Sequence, residues 1–318
     1  MRAAFALAIF FAMGAMMQAK SATTWAEQQV SVDGGLAPLH GTLTTPSGSA
    51  PVDAMLILPG SGPTDRNGNF PGATNNSLLL LAHDLGANGI ASLRIDKRGV
   101  GESAKAAPPE QDLRLTTYVD DAVKWATFLA AQKNIRRVFL LGHSEGALIA
   151  TLAAEQKPVA GLILIAGAGR PAPILLREQL AAIGPIGPLQ EQAKNILKKL
   201  EAGQTVADVP PELAALFRPS VQPYLISWFK YDPVRELSKL SIPTLIVQGS
   251  NDLQVSITDA QRLVSARQGI NYLVIDNMNH VLKTAPADRA GNTRLYAVPD
   301  APLAPGLSSG IAEFVRTH

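Results

Sequence analysis

Val138-Phe139-Leu140-Leu141-Gly142-His143-Ser144-Glu145-Gly146-Ala147-Leu148 is the stretch that decides the reading of this 318-residue chain. Four apolar residues, Val138 to Leu141, run straight into Gly-x-Ser-x-Gly, and an Ala/Leu/Ile-rich stretch follows from Gly146. The pattern predicts a buried strand, a sharp turn and a helix. Glycines at 142 and 146 leave room where such a turn presses backbones together. The same turn forces the apical serine into a strained conformation that presents its hydroxyl to a substrate.

Working outward, Ala54-Met55-Leu56-Ile57-Leu58 is a short continuous apolar run of the kind buried on both faces of a parallel sheet. It stops at Pro59-Gly60-Ser61-Gly62-Pro63. Strands and helices then alternate. Leu78, Leu81 and Leu85 mark a helix over 77–88, a strand is expected at 90–95, and Val119, Val123, Ala126 and Ala130 share one face of a helix over 116–131. Further strands are expected at 137–141, 159–166, 244–248 and 272–275, with helices at 258–266 and 308–316. This βαβ rhythm predicts an α/β fold with a mostly parallel central sheet and helices on both faces. Ahead of it, 25–32 and 39–44 read as an antiparallel pair joined across Asp33-Gly34-Gly35. The rhythm breaks between 167 and 240, where prolines such as Pro171, Pro188, Pro210 and Pro223 separate short helical pieces. A helical lid inserted over 168–240, above the carboxyl edge of the sheet, is the simplest reading.

Composition sets the broad class. Hydrophobic residues make up 47% of the chain and charged ones 17%, as in a compact globular protein. A net charge of +2 disfavours nucleic acid or an anionic membrane surface as the main partner. Residues 1–22 read as an export signal: Arg2, then an uncharged apolar run over 3–17, then small residues around Ala19 and Ala22. That run is shorter than the roughly 20 residues a membrane-spanning helix needs. The expectation is therefore a bacterial protein, periplasmic or secreted, with one domain over 23–318 and no stable membrane association once the signal is cleaved. The chain has no cysteine, which excludes disulfides and a lipidated cysteine.

A serine hydroxyl at neutral pH needs a base, and the base needs an orienting partner. Of the five histidines, His280 alone follows the last strand at a sheet end from which a loop can hang over the turn. Asp252, at the end of the 244–248 strand and its turn, is the expected orienting acid, ahead of Asp232 and Asp276. The order Ser144, Asp252, His280 is the serine, acid, histidine order of nucleophile-elbow enzymes. An oxyanion would be met by the amide of Glu145 and by that of Ser61, with Gly62 the alternative to Ser61.

These residues resemble the α/β-hydrolase superfamily over roughly the whole chain after residue 22. Leu56-Ile57-Leu58-Pro59-Gly60-Ser61-Gly62-Pro63-Thr64-Asp65-Arg66-Asn67-Gly68-Asn69 is similar to the oxyanion loop of a group of exported, esterase-like bacterial hydrolases. Asp96-Lys97-Arg98-Gly99-Val100-Gly101-Glu102-Ser103 resembles the D-x-R-G-x-G-x-S loop of the superfamily. Pro59-Gly60 stands where many lipases carry His-Gly, so the lipase type of oxyanion geometry carries over less directly than the triad. Asp65, Arg66 and Arg98 lie in loops on the active-site edge. Arg66 could meet an anionic substrate group; ion pairing among Asp65, Arg66, Asp96 and Arg98 to fix the loops is the favoured reading. The resemblance implies a serine hydrolase acting on small acyl esters with no metal or organic cofactor. A serine peptidase or an acyl thioesterase of the same fold is the alternative, and a non-catalytic binding protein on the same scaffold is the alternative from another class.

Overall fold

The computed structural model describes residues 24–48, 50–183 and 187–318; the expected export signal lies outside them. Eight strands form one sheet: β1 (Trp25–Val32), β2 (Leu39–Pro46), β3 (Val52–Leu58), β4 (Ala91–Ile95), β5 (Ile135–His143), β6 (Gly161–Ile165), β7 (Thr244–Gly249) and β8 (Ile270–Ile275). Their spatial order is β1-β2-β4-β3-β5-β6-β7-β8. β1 pairs antiparallel with β2, and β2 antiparallel with β4; every other neighbouring pair is parallel. The expected antiparallel pair at the start of the sheet is present, with Val32 opposite Leu39.

The continuous apolar runs are explained by burial on two faces. Side chains alternate across the sheet, so Leu56 and Leu140 enter one core while Met55, Ile57, Phe139 and Leu141 enter the other. The first core is covered by α2 (Leu115–Ala130), α3 (Glu145–Gln156) and α9 (Ile257–Val264), through residues such as Trp125, Ile149 and Leu263. The second is covered by α1 (Ser77–Ala87) and α11 (Leu307–Thr317), through Leu81, Leu85, Ile311 and Phe314. Trp125 and Phe139 are each fully buried, and removing such an aromatic side chain typically costs about 3–5 kcal/mol.

Between β6 and β7 the described residues form helices and no strand: α4 (Ala172–Ile183), α5 (Pro188–Glu201), α6 (Ala214–Phe217), α7 (Gln222–Trp228) and α8 (Pro233–Ser238). They carry a core of their own around Leu197, Leu200, Leu213, Phe217 and Leu225. A short α10 (Arg289–Arg294) follows β8. No helix among the described residues is long and apolar enough to cross a membrane.

Five described non-glycine residues have positive φ: Asn76, Ser144, Ala166, Asn277 and Leu282. Each lies in the chain that follows the carboxyl end of a parallel strand, namely β3, β5, β6 or β8.

Candidate active site

Backbone crowding sets the turn between β5 and α3. A Cβ on Gly142 would lie 2.1 Å from the Gly146 carbonyl oxygen, and one on Gly146 would lie 2.4 Å from that of Leu58. Only glycine fits at either position, because β3, the turn and the first turn of α3 meet backbone to backbone. Ser144 sits at the apex with φ 55° and ψ −120°, and its amide donates to the Ile165 carbonyl at 2.9 Å. As the first residue of α3, Glu145 has an amide with no intrahelical acceptor. Neither that amide nor the Ser61 amide donates to any described residue.

β7 delivers Asp252 and β8 delivers His280. The Asp252 Oδ1 accepts from the amides of Gln254 at 2.8 Å and Val255 at 3.0 Å, and its Oδ2 accepts from His280 Nδ1 at 2.8 Å. Both residues are almost completely buried. Burial alone would push the Asp252 carboxyl up, but the neighbouring imidazole and these hydrogen bonds outweigh it and hold the group below its ordinary value. His280 rides on a tight turn in which the Asn279 amide donates to the Lys283 carbonyl at 2.9 Å and the Lys283 amide to Asn279 Oδ1 at 3.0 Å. His143, within the turn before Ser144, fixes this loop from below: its Nε2 donates to the His280 carbonyl at 2.8 Å. Desolvation, reinforced by the adjacent His280, pushes the His143 imidazole down to about 3, so it is neutral and keeps that proton.

Two cavities meet at Ser144. The larger, about 530 Å³, runs under the lid between Leu175, Leu176, Leu216, Tyr224, Trp228 and Val255. The smaller, about 330 Å³, contains both Ser144 and His280 and is walled by Phe70 and Tyr296. With Nδ1 of His280 committed to Asp252, its Nε2 is the nitrogen free to exchange a proton with a group in that space. Ser61 lines both cavities. The lid's apolar residues divide: Leu213 and Phe217 pack inside the lid's own core, whereas Leu216, Tyr224 and Trp228 face the larger cavity.

The loop charges pair only in part as expected: Arg66 meets Asp96, while Arg98 and Asp65 turn to other partners. Arg66 binds Asp96 at 2.6 Å and Glu102 at 2.5 Å, and its Nη1 donates to Gln29 and Thr42. Arg98 grips Asp121 with Nε at 2.5 Å and Nη2 at 2.8 Å, and its Nη1 donates to the carbonyls of Gly34 and Ala106. Every guanidinium nitrogen of Arg98 is thus committed to protein. Asp65 makes no ion pair among the described residues; its Oδ1 accepts from the amides of Asn67 and Asn69 at 2.8 and 2.9 Å and folds the loop. Among the described residues no cluster of His, Cys, Asp or Glu could hold a metal ion.

Comparison with known proteins adds relatives to this geometry. A family model described as serine aminopeptidase, S33, matches residues 74–210. The esterase EstD of Thermotoga maritima is 30% identical over 261 residues, which is 80% of this chain. The chain spans 60% of that relative's length. Among solved structures, Est1E from Butyrivibrio proteoclasticus with ferulic acid bound has 17% identity and a TM-score of 0.59, covering 91% of this chain and 98% of its own. XC6422 of Xanthomonas campestris, described as an α/β serine hydrolase without lid, has 17% identity and a TM-score of 0.50, covering 92% and 94%. The chain has the α/β-hydrolase fold.

Within the α/β-hydrolase fold, several residues around the site carry no signal that sequence reasoning used. His143 and Lys97 sit inside the motifs already quoted, as their variable positions. Lys97 Nζ donates to the Gly60 carbonyl at 2.5 Å and lies 5.6 Å over the Tyr118 ring. Glu145 is buried beside it, its carboxyl pushed up by desolvation against the opposing pull of Lys97 and a contact with the Tyr224 hydroxyl. Burial pushes the Lys97 ammonium down, and Glu145 works against that shift. Gln254 links the rim through Nε2 to the Tyr296 hydroxyl at 2.9 Å.

Proposed function

We propose that the protein is an exported serine esterase in which Ser144, His280 and Asp252 form a catalytic triad. One observation carries the reading: a serine held at φ 55° on the strand-to-helix turn shares a cavity with an imidazole whose far nitrogen is bound at 2.8 Å by a buried carboxylate. His280 Nε2 takes the proton of Ser144 Oγ as the oxygen attacks an acyl carbonyl, and Asp252 holds the imidazole and the charge that develops on it. The carbonyl oxygen becomes an oxyanion between the amides of Ser61 and Glu145. His280 then gives its proton to the departing alcohol, leaving an acyl-serine. Water, deprotonated by His280, attacks that acyl group and releases the acid.

The apolar walls of the 530 Å³ cavity suit a short to medium acyl chain. Similarity to the esterase EstD supports ester substrates. The matching family model is named for an aminopeptidase, yet an aminopeptidase site needs a carboxylate free to hold the substrate's amino group. Of the two acidic residues lining the cavity, Glu110 is tied to Arg218 and Ser220, and Glu145 is buried beside Lys97. Export rests on the reading of residues 1–22 alone.

Fluorophosphonate labelling of the wild type and of Ser144→Ala tests the nucleophile: the wild type should label to one equivalent and the variant not at all. Equal labelling of both removes Ser144 from the mechanism. Steady-state rates on nitrophenyl esters of rising chain length, beside aminoacyl nitroanilides, test the substrate class. Higher kcat/KM on the amides would replace esterase with peptidase.

A further inference from the structure

Lys97 has no place in the triad, yet it reaches the site from the loop after β4 and its ammonium is almost wholly enclosed. Charged lysine heads are seldom buried without a specific partner. Here the partner is the carbonyl oxygen of Gly60, at 2.5 Å. That carbonyl belongs to the same peptide unit as the amide of Ser61. A peptide unit is planar and trans, so its C=O and N–H point in opposite directions, and fixing one fixes the other.

Gly60 leaves this unit unusually free to turn. It carries no side chain, and a Cβ there would approach Ser144 Cβ to 3.2 Å, so no bulkier residue can stiffen the position without pressing on the nucleophile. The neighbouring Gly62 has φ 67°, a conformation that restrains the loop little from the other side. Something outside the loop has to set the rotation of the 60–61 plane.

We propose that Lys97 is a positioning residue for the oxyanion hole: by holding the Gly60 carbonyl on one side, it aims the Ser61 amide at the opposite side, toward the reacting carbonyl oxygen. The inference rests on the assignment of Ser61 to the oxyanion hole made above. Glu145 completes the arrangement. Its backbone amide supplies the second donor, and its buried carboxyl works against the downward push of burial on the Lys97 ammonium. The Tyr118 ring lies over the ammonium, 5.6 Å away.

Lys97→Met removes the donor with little change in volume, and Lys97→Gln keeps a neutral donor on a shorter stem. Removing an oxyanion donor outright typically costs about 100- to 1000-fold in kcat. Loss of its positioning should cost less, roughly 10- to 100-fold for Lys97→Met, with KM within about twofold of wild type. The inhibition constant of a phenylboronic acid, whose tetrahedral adduct occupies the same donors, should rise by a similar factor, and Lys97→Gln should recover part of both losses. Circular dichroism and the final extent of fluorophosphonate labelling check that each variant is folded. A wild-type kcat in folded Lys97→Met overturns the inference. So does a fall in kcat with no change in boronate affinity, which is what general loosening would give. Should only Lys97→Gln fold, wild-type boronate affinity together with a lowered kcat refutes it as well. If Ser144→Ala still labels and turns over, the triad reading fails instead, and the two failures are distinguishable.

Discussion

Asp252→Asn puts the proposed mechanism under the most direct strain. The carboxylate makes two kinds of bond: Oδ1 takes the amides of Gln254 and Val255, and Oδ2 takes His280 Nδ1. An asparagine can keep its Oδ1 toward the two amides, so the 252–255 turn survives. Its Nδ2 then occupies the place of Oδ2 and is a donor, so it meets His280 Nδ1 only if that nitrogen has no proton. The imidazole is driven into the tautomer that carries hydrogen on Nε2, the one that cannot accept a proton from Ser144. Gln248 Nε2, 3.3 Å from Oδ2, would face the new donor, and its own Oε1 is buried without a partner. Turning that amide over would relieve the clash but release the bond from Nε2 to the Val255 carbonyl. A stability loss of about 1–2 kcal/mol follows from that exchange. The catalytic loss should be far larger, on the order of 10³- to 10⁴-fold in kcat, or about 4–5.5 kcal/mol of barrier. Steady-state hydrolysis of a nitrophenyl butyrate, with thermal unfolding recorded on the same samples, separates the two effects. A folded Asp252→Asn enzyme with kcat within tenfold of wild type would refute the orientation argument.

Two further predictions follow from the same contacts. His143 titrates at about 3 when folded against an ordinary 6.5, so between those values the unfolded chain holds a proton that the native state lacks. Stability from this group is complete above pH 6.5 and falls by about 1.4 kcal/mol per pH unit below it. Urea unfolding at pH 7 and pH 5 should therefore show wild type losing roughly 2 kcal/mol more than His143→Leu, and equal losses would contradict the assignment. Arg98→Lys replaces a fork that holds Asp121 and two carbonyls with a single ammonium. It should cost about 2–4 kcal/mol of stability and leave KM within twofold, whereas a tenfold rise in KM at unchanged stability would make Arg98 a substrate contact.

The scaffold was legible in the sequence where local chemistry dictates it. The runs 54–58 and 138–141 read as strands buried on both faces because the sheet is covered on both sides, and the glycines at 142 and 146 read as a turn because no Cβ fits there. The same logic placed Asp252 and His280 at strand ends, and the structure sets their side chains 2.8 Å apart. What stayed hidden depends on partners far along the chain. Arg98 was expected among Asp65, Arg66 and Asp96, but it reaches back to Asp121 on α2, whose position opposite the loop follows from helix packing and from nothing local. Lys97 and His143 act through backbone carbonyls at positions 60 and 280, and a carbonyl leaves no mark in a sequence. The lid helices could be counted as apolar and broken by proline, yet which of their residues face inward and which face the cavity is a matter of tertiary packing.

The five non-glycine residues with positive φ bear on how such a molecule can change. All stand on the side of the sheet where the site lies, and each holds a conformation costing on the order of 1–3 kcal/mol that the surrounding packing must sustain. The opposite rim, where the described chain turns from helix back to strand, carries none. Leu282 is wholly buried, so trading it for glycine would cost more in lost packing than it relieves, whereas glycine at Ala166 would give up only a methyl group and would loosen the strand end to which the Ser144 amide is bonded. Durability and turnover therefore compete on one rim of this protein, while the other rim is free to drift.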